Sequence, residues 1–174
     1  FQTRELQAQK YETVYPIVEE YMNGISAATG RVYKPYQYFG AADAERVIVL
    51  MGSACECAEE VVEHLTAKGE KVGMLKVHLY RPFVVEKFIE ALPTTVKKIA
   101  VLDRTIEQGA IYEPLCLDVQ SSFYGKANAP VIVGGRYGLS SKDTTPAMIN
   151  AVFNNLKLDQ PKDHFTLGIN DDIK

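Results

Sequence analysis

The sequence predicts an α/β domain in which helices cover both faces of a mostly parallel sheet. Four apolar, β-branched runs recur between residues 47 and 135 at about the spacing of a βα unit: VIVLMG, GMLKVHLY, IAVLD and PVIVGG. The segments between them carry apolar residues at helical spacing. Strands that alternate with helices pair in parallel through right-handed crossovers, so we expect a three-layer α/β/α arrangement.

The predicted helices have recognisable boundary signals. Ser53 is expected to cap a helix that runs to Lys68, with Glu56 completing a capping box and Gly69 supplying a left-handed stop. Thr145 followed by Pro146 announces the last helix. Two further helices are expected at about 83–92 and within 112–124.

The two ends of the chain are expected to pack around this sheet. Residues 1–28 have loose helical spacing that Pro16 interrupts or restarts, which predicts one or two helices outside the sheet. The aromatic run YKPYQYFG predicts a short edge strand, and HFTLGI near the end can form another short strand.

Composition limits the class of protein. A chain of 174 residues with 47% hydrophobic and 24% charged residues is typical of one globular domain. The formal net charge of −3 and the scattered cations argue against nucleic acid, and no apolar run is long enough for a membrane span. The polar start FQTRELQAQK does not have the pattern of a signal peptide, and three cysteines suit a reducing compartment. A cytoplasmic location is therefore expected, or an organellar one if sequence upstream of Phe1 carries a targeting segment.

Candidate functional residues lie where the predicted strands end. Ligands of open α/β sheets bind beyond the carboxyl ends of the strands, so GSACE, YRPF, DRTIEQGA and GGRYGLSSK should cluster. The glycine-rich loop could bring backbone amides to a phosphate, but its spacing matches neither the dinucleotide nor the P-loop pattern, which favours a tight turn or an interface. Possible inter-domain or ligand-loop contacts are Arg104, Glu107, Gly109, Gly134, Gly135, Arg136, Tyr137 and Gly138.

Two other groups of residues could take part in catalysis. Asp103 and Arg104 could supply an acid or base, although a loop-fixing salt bridge is the more common role of such a pair. Cys55 and Cys57 at a helix start could form a thiol redox module, but their CxC spacing favours packing. No histidine has metal-ligand spacing to them, so the sequence predicts no catalytic, cofactor-binding or metal-binding residue.

Five long motifs carry a family resemblance. GAADAERVIVLMGS, KGEKVGMLKVHLYRPF, KKIAVLDRT, GGRYGLSSKDTTPAM and HFTLGINDD occur in this order, and together the region 33–174 resembles the pyruvate:ferredoxin (flavodoxin) oxidoreductase family. The matching part of that family is its second domain, which is similar to the C-terminal domain of transketolase. The resemblance implies a five-stranded sheet with one antiparallel edge strand, formed by YQYFG.

The resemblance also implies a function and a domain organisation. Residues 1–30 would be a helical connecting segment and 31–174 the transketolase C-terminal-like domain of a longer multidomain chain. The parent would oxidatively decarboxylate pyruvate with coenzyme A to acetyl-CoA and carbon dioxide, using thiamine diphosphate, Mg²⁺ and [4Fe-4S] clusters. Ferredoxin or flavodoxin would accept the electrons, and the parent would be a homodimer. This chain, which lacks a CxxCxxC run, would be a non-catalytic structural domain.

The loop after DRT departs from the family pattern, because Gln108, Ile111 and Tyr112 stand where proline- and glycine-containing residues are common. Two alternatives therefore stay open. The chain could be the equivalent domain of a paralogue or fusion, such as a sulfite reductase flavoprotein subunit. It could also be an independent nucleotide- or flavin-binding module.

Overall fold

A computed structural model, which describes residues 1–169 and 173, contains a single mixed sheet flanked by helices. The strands are β1 (Tyr36–Gly40), β2 (Arg46–Leu50), β3 (Val72–Val77), β4 (Lys98–Asp103), β5 (Val131–Arg136) and β6 (Phe165–Thr166). The helices are α1 (Gln2–Glu12), α2 (Val14–Thr29), α3 (Ala54–Ala67), α4 (Val85–Glu90), α5 (Pro114–Ser122) and α6 (Pro146–Lys157), with a 3₁₀ turn at Leu139–Ser141.

The strand order in the sheet is β1-β3-β2-β4-β5-β6. Strand β1 pairs antiparallel with β3 at one edge, and the other pairings are parallel, which confirms the predicted α/β class and its antiparallel edge strand. The resemblance implies five strands, one fewer than the six observed among the described residues. The sixth is β6, whose two residues pair with β5 through Gly135 and Arg136, and it lies in the run HFTLGI.

Alternating side chains of the central strands divide the core into two clusters, one on each face of the sheet. Ile48 and Leu50 of β2 pack with α3 and α6, while Val47 and Val49 point to the opposite cluster with α4 and α5. All four side chains are fully buried. The continuous apolar strands are thus covered on both faces, and the predicted three-layer arrangement is confirmed.

The two predicted helix caps have different outcomes. At α6, the Thr145 hydroxyl accepts a hydrogen bond from the Met148 amide (3.4 Å), as the sequence predicts. At α3, the predicted capping box is wrong: Ser53 makes no side-chain cap hydrogen bond, because its backbone is already helical (φ −63°, ψ −24°). A capping side chain needs an extended backbone to reach the free amides of the first turn. Gly69 does follow the end of α3 with φ +82°.

The N-terminal helices lie outside the sheet, as predicted. Pro16 falls in the first turn of α2, where the missing amide hydrogen is tolerated. Tyr15 is the buried residue of α2, and α1 has none. No helix in the described part of the chain is both long and apolar enough to cross a bilayer.

Candidate functional site

Strands β2, β4 and β5 end at the same edge of the sheet, and their parallel register sets Val49 beside Val101 and Asp103 beside Arg136. The segments that follow them, residues 51–53, 104–113 and 137–145, therefore lie at one edge. We call these three segments the carboxyl-end loops. They contain five of the eight residues that the sequence predicts as contacts, and the other three, Gly134, Gly135 and Arg136, are the last residues of β5.

Gly134 and Gly135 are strand residues, and packing on both faces of the sheet accounts for their small size. A Cβ on Gly134 would lie 3.0 Å from the Tyr112 ring and 3.1 Å from the Cys116 sulfur. A Cβ on Gly135 would overlap the Phe165 ring on the other side. The Gly134 amide donates to Asp163 Oδ1 (2.7 Å), so this amide is already bonded within the domain and is not free to bind the phosphate of a ligand.

A buried ion pair holds the end of β5. Glu113 immediately precedes α5 and is only 5% exposed. Its Oε1 accepts a hydrogen bond from Arg136 Nε (2.5 Å), and its Oε2 accepts one from the Glu107 amide (2.7 Å). One carboxylate thereby ties strand β5 to the loop 104–113, and the Arg136 head group is committed to an internal contact.

Asp103 also turns inward. Its two carboxylate oxygens accept hydrogen bonds from the Leu115 amide (3.0 Å) and the Cys116 amide (3.1 Å), which are free amides in the first turn of α5. The side chain is 3% exposed, and burial raises the pKa of the carboxyl in spite of these two bonds. The expected salt bridge to Arg104 is wrong: within the described residues Asp103 binds the first-turn amides of α5, while Arg104 Nε donates to the Gly138 carbonyl.

Arg104 and Tyr137 line a cleft of about 190 Å³, together with Ser53, Lys142 and Asp143. Gly138 has φ +63°, and Arg104 Nε donates to its carbonyl (3.2 Å). Tyr137 is buried, and its hydroxyl donates to the Met51 carbonyl (3.0 Å), which joins the β5 loop to the β2 loop. Arg104 itself is exposed, so part of its guanidinium faces solvent.

The loop 104–113 exposes apolar side chains to solvent, while hydrogen bonds fix its backbone. The Ala110 amide donates to the Glu107 carbonyl (3.0 Å) in a turn that places Gly109 at φ +85°. Ile106 is 47% exposed and Ile111 is 78% exposed. Exposed isoleucines beside an exposed arginine are typical of a protein contact surface rather than of a small-molecule site.

The cysteines do not have the properties of redox thiols. Burial raises the pKa of Cys55 to about 11 and that of Cys116 to about 12. Cys57 is partly exposed, and burial raises its pKa as well. A reactive thiol needs a lowered pKa, so these environments argue against the redox module considered for Cys55 and Cys57. Among the described residues no group of three or more His, Cys, Asp or Glu could hold a metal ion.

Comparison with known proteins gives the relationship of the chain. The family described as "Pyruvate:ferredoxin oxidoreductase core domain II" matches residues 44–149. The chain belongs to this family. The chain is 57% identical to a pyruvate-flavodoxin oxidoreductase of Klebsiella pneumoniae and 51% identical to a pyruvate:ferredoxin oxidoreductase of Moorella thermoacetica. Each alignment covers 99% of this chain and 15% of the relative, so the chain spans about 15% of the length of these curated relatives.

A solved structure supports the same relationship. It is a 2-oxoglutarate:ferredoxin oxidoreductase from Magnetococcus marinus, determined with 2-oxoglutarate, coenzyme A and succinyl-CoA bound. The similarity covers 72% of this chain and 19% of the chain in the solved structure, with a TM-score of 0.50 and 25% sequence identity.

Two acidic residues that organise this end of the sheet, Glu113 and Asp163, were not among the predicted site residues. Glu113 could have been suspected, because a residue before Pro114 at a helix start is a capping position with unsatisfied amides nearby. Asp163, which accepts hydrogen bonds from Gly134 and Tyr112, had no local signal. It follows α6 and meets β5 only through the fold.

Proposed function

We propose that this chain is a non-catalytic structural and assembly domain of a larger pyruvate:ferredoxin (flavodoxin) oxidoreductase. The parent oxidatively decarboxylates pyruvate with coenzyme A to acetyl-CoA and carbon dioxide, and passes the two electrons to ferredoxin or flavodoxin. The observation that carries the proposal is the family match at residues 44–149. In addition, nearly the whole chain aligns with the named oxidoreductases, and it covers only 15% of their length. The names of these relatives favour a pyruvate enzyme over a sulfite reductase paralogue.

The assignment of the chemistry to other domains is supported by how this domain uses its polar groups. Asp103, Glu113 and Arg136 are committed to internal hydrogen bonds, so none is placed to act on a substrate. The residues present do not fit a [4Fe-4S] cluster, because two of the three cysteines are buried with raised pKa values. Nor does the described part of the chain bring three or more His, Cys, Asp or Glu side chains together where they could hold the Mg²⁺ ion of a bound diphosphate. Thiamine diphosphate, Mg²⁺ and the clusters would be bound elsewhere in the parent.

The carboxyl-end loops would contact other domains of the same polypeptide. Arg104, Ile106 and Ile111 are exposed residues of one loop, and Lys142 lines the same cleft as Arg104. Arginine beside aliphatic side chains suits such contacts, since its planar head binds carbonyls and carboxylates while its stem packs. Glu107, Gly109 and the glycine-rich segment would fix the shape of this surface.

The domain organisation and the setting are part of the proposal. Residues 1–30 would connect this domain to the preceding one, and 31–174 would be the transketolase C-terminal-like unit. The parent would act as a homodimer with coenzyme A, pyruvate and ferredoxin or flavodoxin as its partners. A cytoplasmic location is supported by three cysteines that form no disulfide.

The test compares Arg104→Glu with Lys126→Glu in the parent polypeptide. Both cations are exposed, but Lys126 lies near the start of β5, at the opposite edge of the sheet. We expect Arg104→Glu to lower the midpoint of dissociation or unfolding of the assembled parent, and to reduce pyruvate-dependent and coenzyme A-dependent reduction of flavodoxin. Lys126→Glu should leave both unchanged. Equal effects of the two changes would contradict the proposed contact surface, and a parent without pyruvate activity would contradict the proposed reaction.

A ligand titration tests the alternative of an independent nucleotide-binding module. The 174-residue chain is titrated with coenzyme A, thiamine diphosphate with Mg²⁺, flavin mononucleotide and nicotinamide nucleotides, and its thermal unfolding is followed. A ligand at a hundredfold excess over its dissociation constant would add about 2.7 kcal/mol to the free energy of unfolding. No stabilisation is expected from any of them. Saturable stabilisation that Arg104→Ala removes would instead make the Arg104 cleft a binding site.

A further inference from the structure

One face of α2 carries an apolar stripe that nothing in the described part of the chain covers. Ile17, Tyr21, Gly24, Ile25 and Ala28 follow the spacing of one helix face, in a band about 100° wide. Ile17, Tyr21 and Ile25 are 49%, 70% and 50% exposed. An isolated exposed apolar residue is ordinary, but a stripe at this spacing is what a helix normally buries against a neighbour.

The domain holds α2 through the opposite face. Tyr15 is buried and stacks on Tyr36 with ring centroids 6.1 Å apart, and the Tyr33 amide donates to the Ser26 hydroxyl (2.9 Å). Helix α1 has no buried residue. Short helices are marginally stable in water without tertiary packing. The contacts within the domain therefore use only a small part of the apolar surface of these two helices.

Gly24 lies in the interior of this stripe. Glycine is among the least favourable residues inside a helix, and a Cβ added at Gly24 would meet no atom within 4 Å. Nothing in the described chain therefore requires a residue without a side chain here. A glycine flanked by large apolar residues does allow the backbone of a second helix to approach closely.

The charges of α2 indicate the character of the partner. Glu20 is exposed and borders the stripe, whereas Glu19 lies on the opposite face, and the helix has no lysine or arginine. An apolar helix with basic flanking residues would complement it. A second copy of α2 would bring the same acidic flank and no basic one. The remaining length of the named relatives, of which this chain covers 15%, can supply such a helix.

We propose that the α2 stripe is the docking surface for an apolar helix with basic flanks, contributed by the rest of the parent polypeptide. The proposal rests on the proposed function, because it requires that this chain be one domain of a longer protein. It adds a second contact surface, on a different element from the carboxyl-end loops.

The first experiment measures hydrogen exchange of the α2 amides in the full parent protein. The wild-type amides should be protected, and Gly24→Leu should speed their exchange by about tenfold or more, because the leucine blocks close approach. Asn23→Leu is the matched control, since it adds the same side chain at an exposed position outside the stripe. Unprotected α2 amides in the wild-type parent, or equal effects of the two leucines, would overturn the proposal.

The second experiment identifies the occupant. A benzophenone attached to Tyr21→Cys in the parent is photolysed, and the crosslinked peptides are mapped by mass spectrometry. A crosslink to an apolar, basic-flanked helix outside the sequence of this chain supports the proposal. A crosslink between two copies of α2, or the absence of any crosslinked partner, overturns it. Pyruvate activity is measured in parallel, so a failed reaction with a protected α2 would contradict the proposed function and leave the docking surface standing.

Discussion

The buried pair of Glu113 and Arg136 is expected to stabilise the domain more than any exposed ion pair in it. The perturbation is Arg136→Met, which removes the guanidinium and keeps an apolar stem of similar length. Glu113 would remain 5% exposed, with the Glu107 amide as its remaining donor. Breaking a fully buried pair costs about 3–5 kcal/mol. The Arg136 side chain is 23% exposed and Glu113 keeps one bond, so we expect a loss of about 2–3 kcal/mol.

Urea denaturation of the 174-residue chain, followed by circular dichroism, measures this loss. For a domain of this size, 2–3 kcal/mol corresponds to a fall in melting temperature of about 4–12 °C. The control is Lys87→Met, which removes an exposed partner of Glu90 whose nitrogen and oxygen are 2.9 Å apart. The side chains of that pair are 45% and 63% exposed, so solvent screens their attraction and its loss should cost far less than the loss of the Glu113–Arg136 pair.

A double-mutant cycle separates the pair from its surroundings. Glu113→Gln should cost about 1–2 kcal/mol, because the amide keeps only one acceptor oxygen for two donors. The double variant should be less destabilised than the sum of the single variants, by about 1–2 kcal/mol of coupling. An Arg136→Met loss no larger than that of Lys87→Met, or strict additivity, would refute the reasoning that burial makes this pair matter.

Three further predictions concern the same edge. Gly135→Ala should lower the free energy of unfolding by about 1–3 kcal/mol, because its Cβ overlaps the Phe165 ring; a neutral effect in urea denaturation would contradict the packing role of the glycine. For Asp103, burial raises the pKa above 3.8, so the folded state holds the proton more tightly than the unfolded chain. The stability of the wild type relative to Asp103→Asn should therefore be greatest below pH 3.8 and fall as the pH rises through the folded pKa; a difference that does not vary with pH would contradict this sign. In alkylation of the native protein, Cys57 should react first and the two buried cysteines only on unfolding, whereas fast labelling of Cys55 would revive the redox module.

The layered architecture could be predicted because its signals are local and repeated. Each central strand is a mainly apolar run, and each run is followed by helical periodicity, so every segment favours the same topology. The run HFTLGI was expected to be able to form a short strand, and Phe165 and Thr166 in it form β6. Its pairing with β5 could not be predicted, because two residues carry too little pattern to fix a register; in the fold Phe165 packs over Gly135.

The two helix caps show why local motifs are incomplete evidence. Thr145 and Ser53 have the same kind of sequence signal, yet only Thr145 caps its helix. Gly52, with φ +80°, turns the chain after β2 so that Ser53 enters the helical region one residue early. The difference depends on how a strand meets its helix, which residue spacing does not encode.

The partners of the charged residues could not be predicted for a related reason. Asp103 and Arg104 are neighbours in sequence, but the end of β4 points the carboxylate toward the amides of α5 and leaves the guanidinium outside. Arg136 was expected on a contact surface, whereas Glu113 lies within reach only because β4 and β5 align Asp103 with Arg136. Pair formation across 23 residues is set by strand register, which is a property of the fold.

The internal pairing of Arg136 changes how the proposed contact surface would work. Because Glu113 binds both Arg136 and the Glu107 amide, the loop that carries Ile106 and Ile111 is fixed to the sheet before any partner arrives. A surface held in its bound shape loses less conformational entropy on association, so its apolar side chains contribute more of their burial to affinity. Glu113→Gln should therefore weaken assembly of the parent even though this carboxylate is buried. Arg104 would act differently, as a direct contact, and the two changes should be separable: Arg104→Glu leaves the stability of the 174-residue chain nearly unchanged, while Glu113→Gln lowers it.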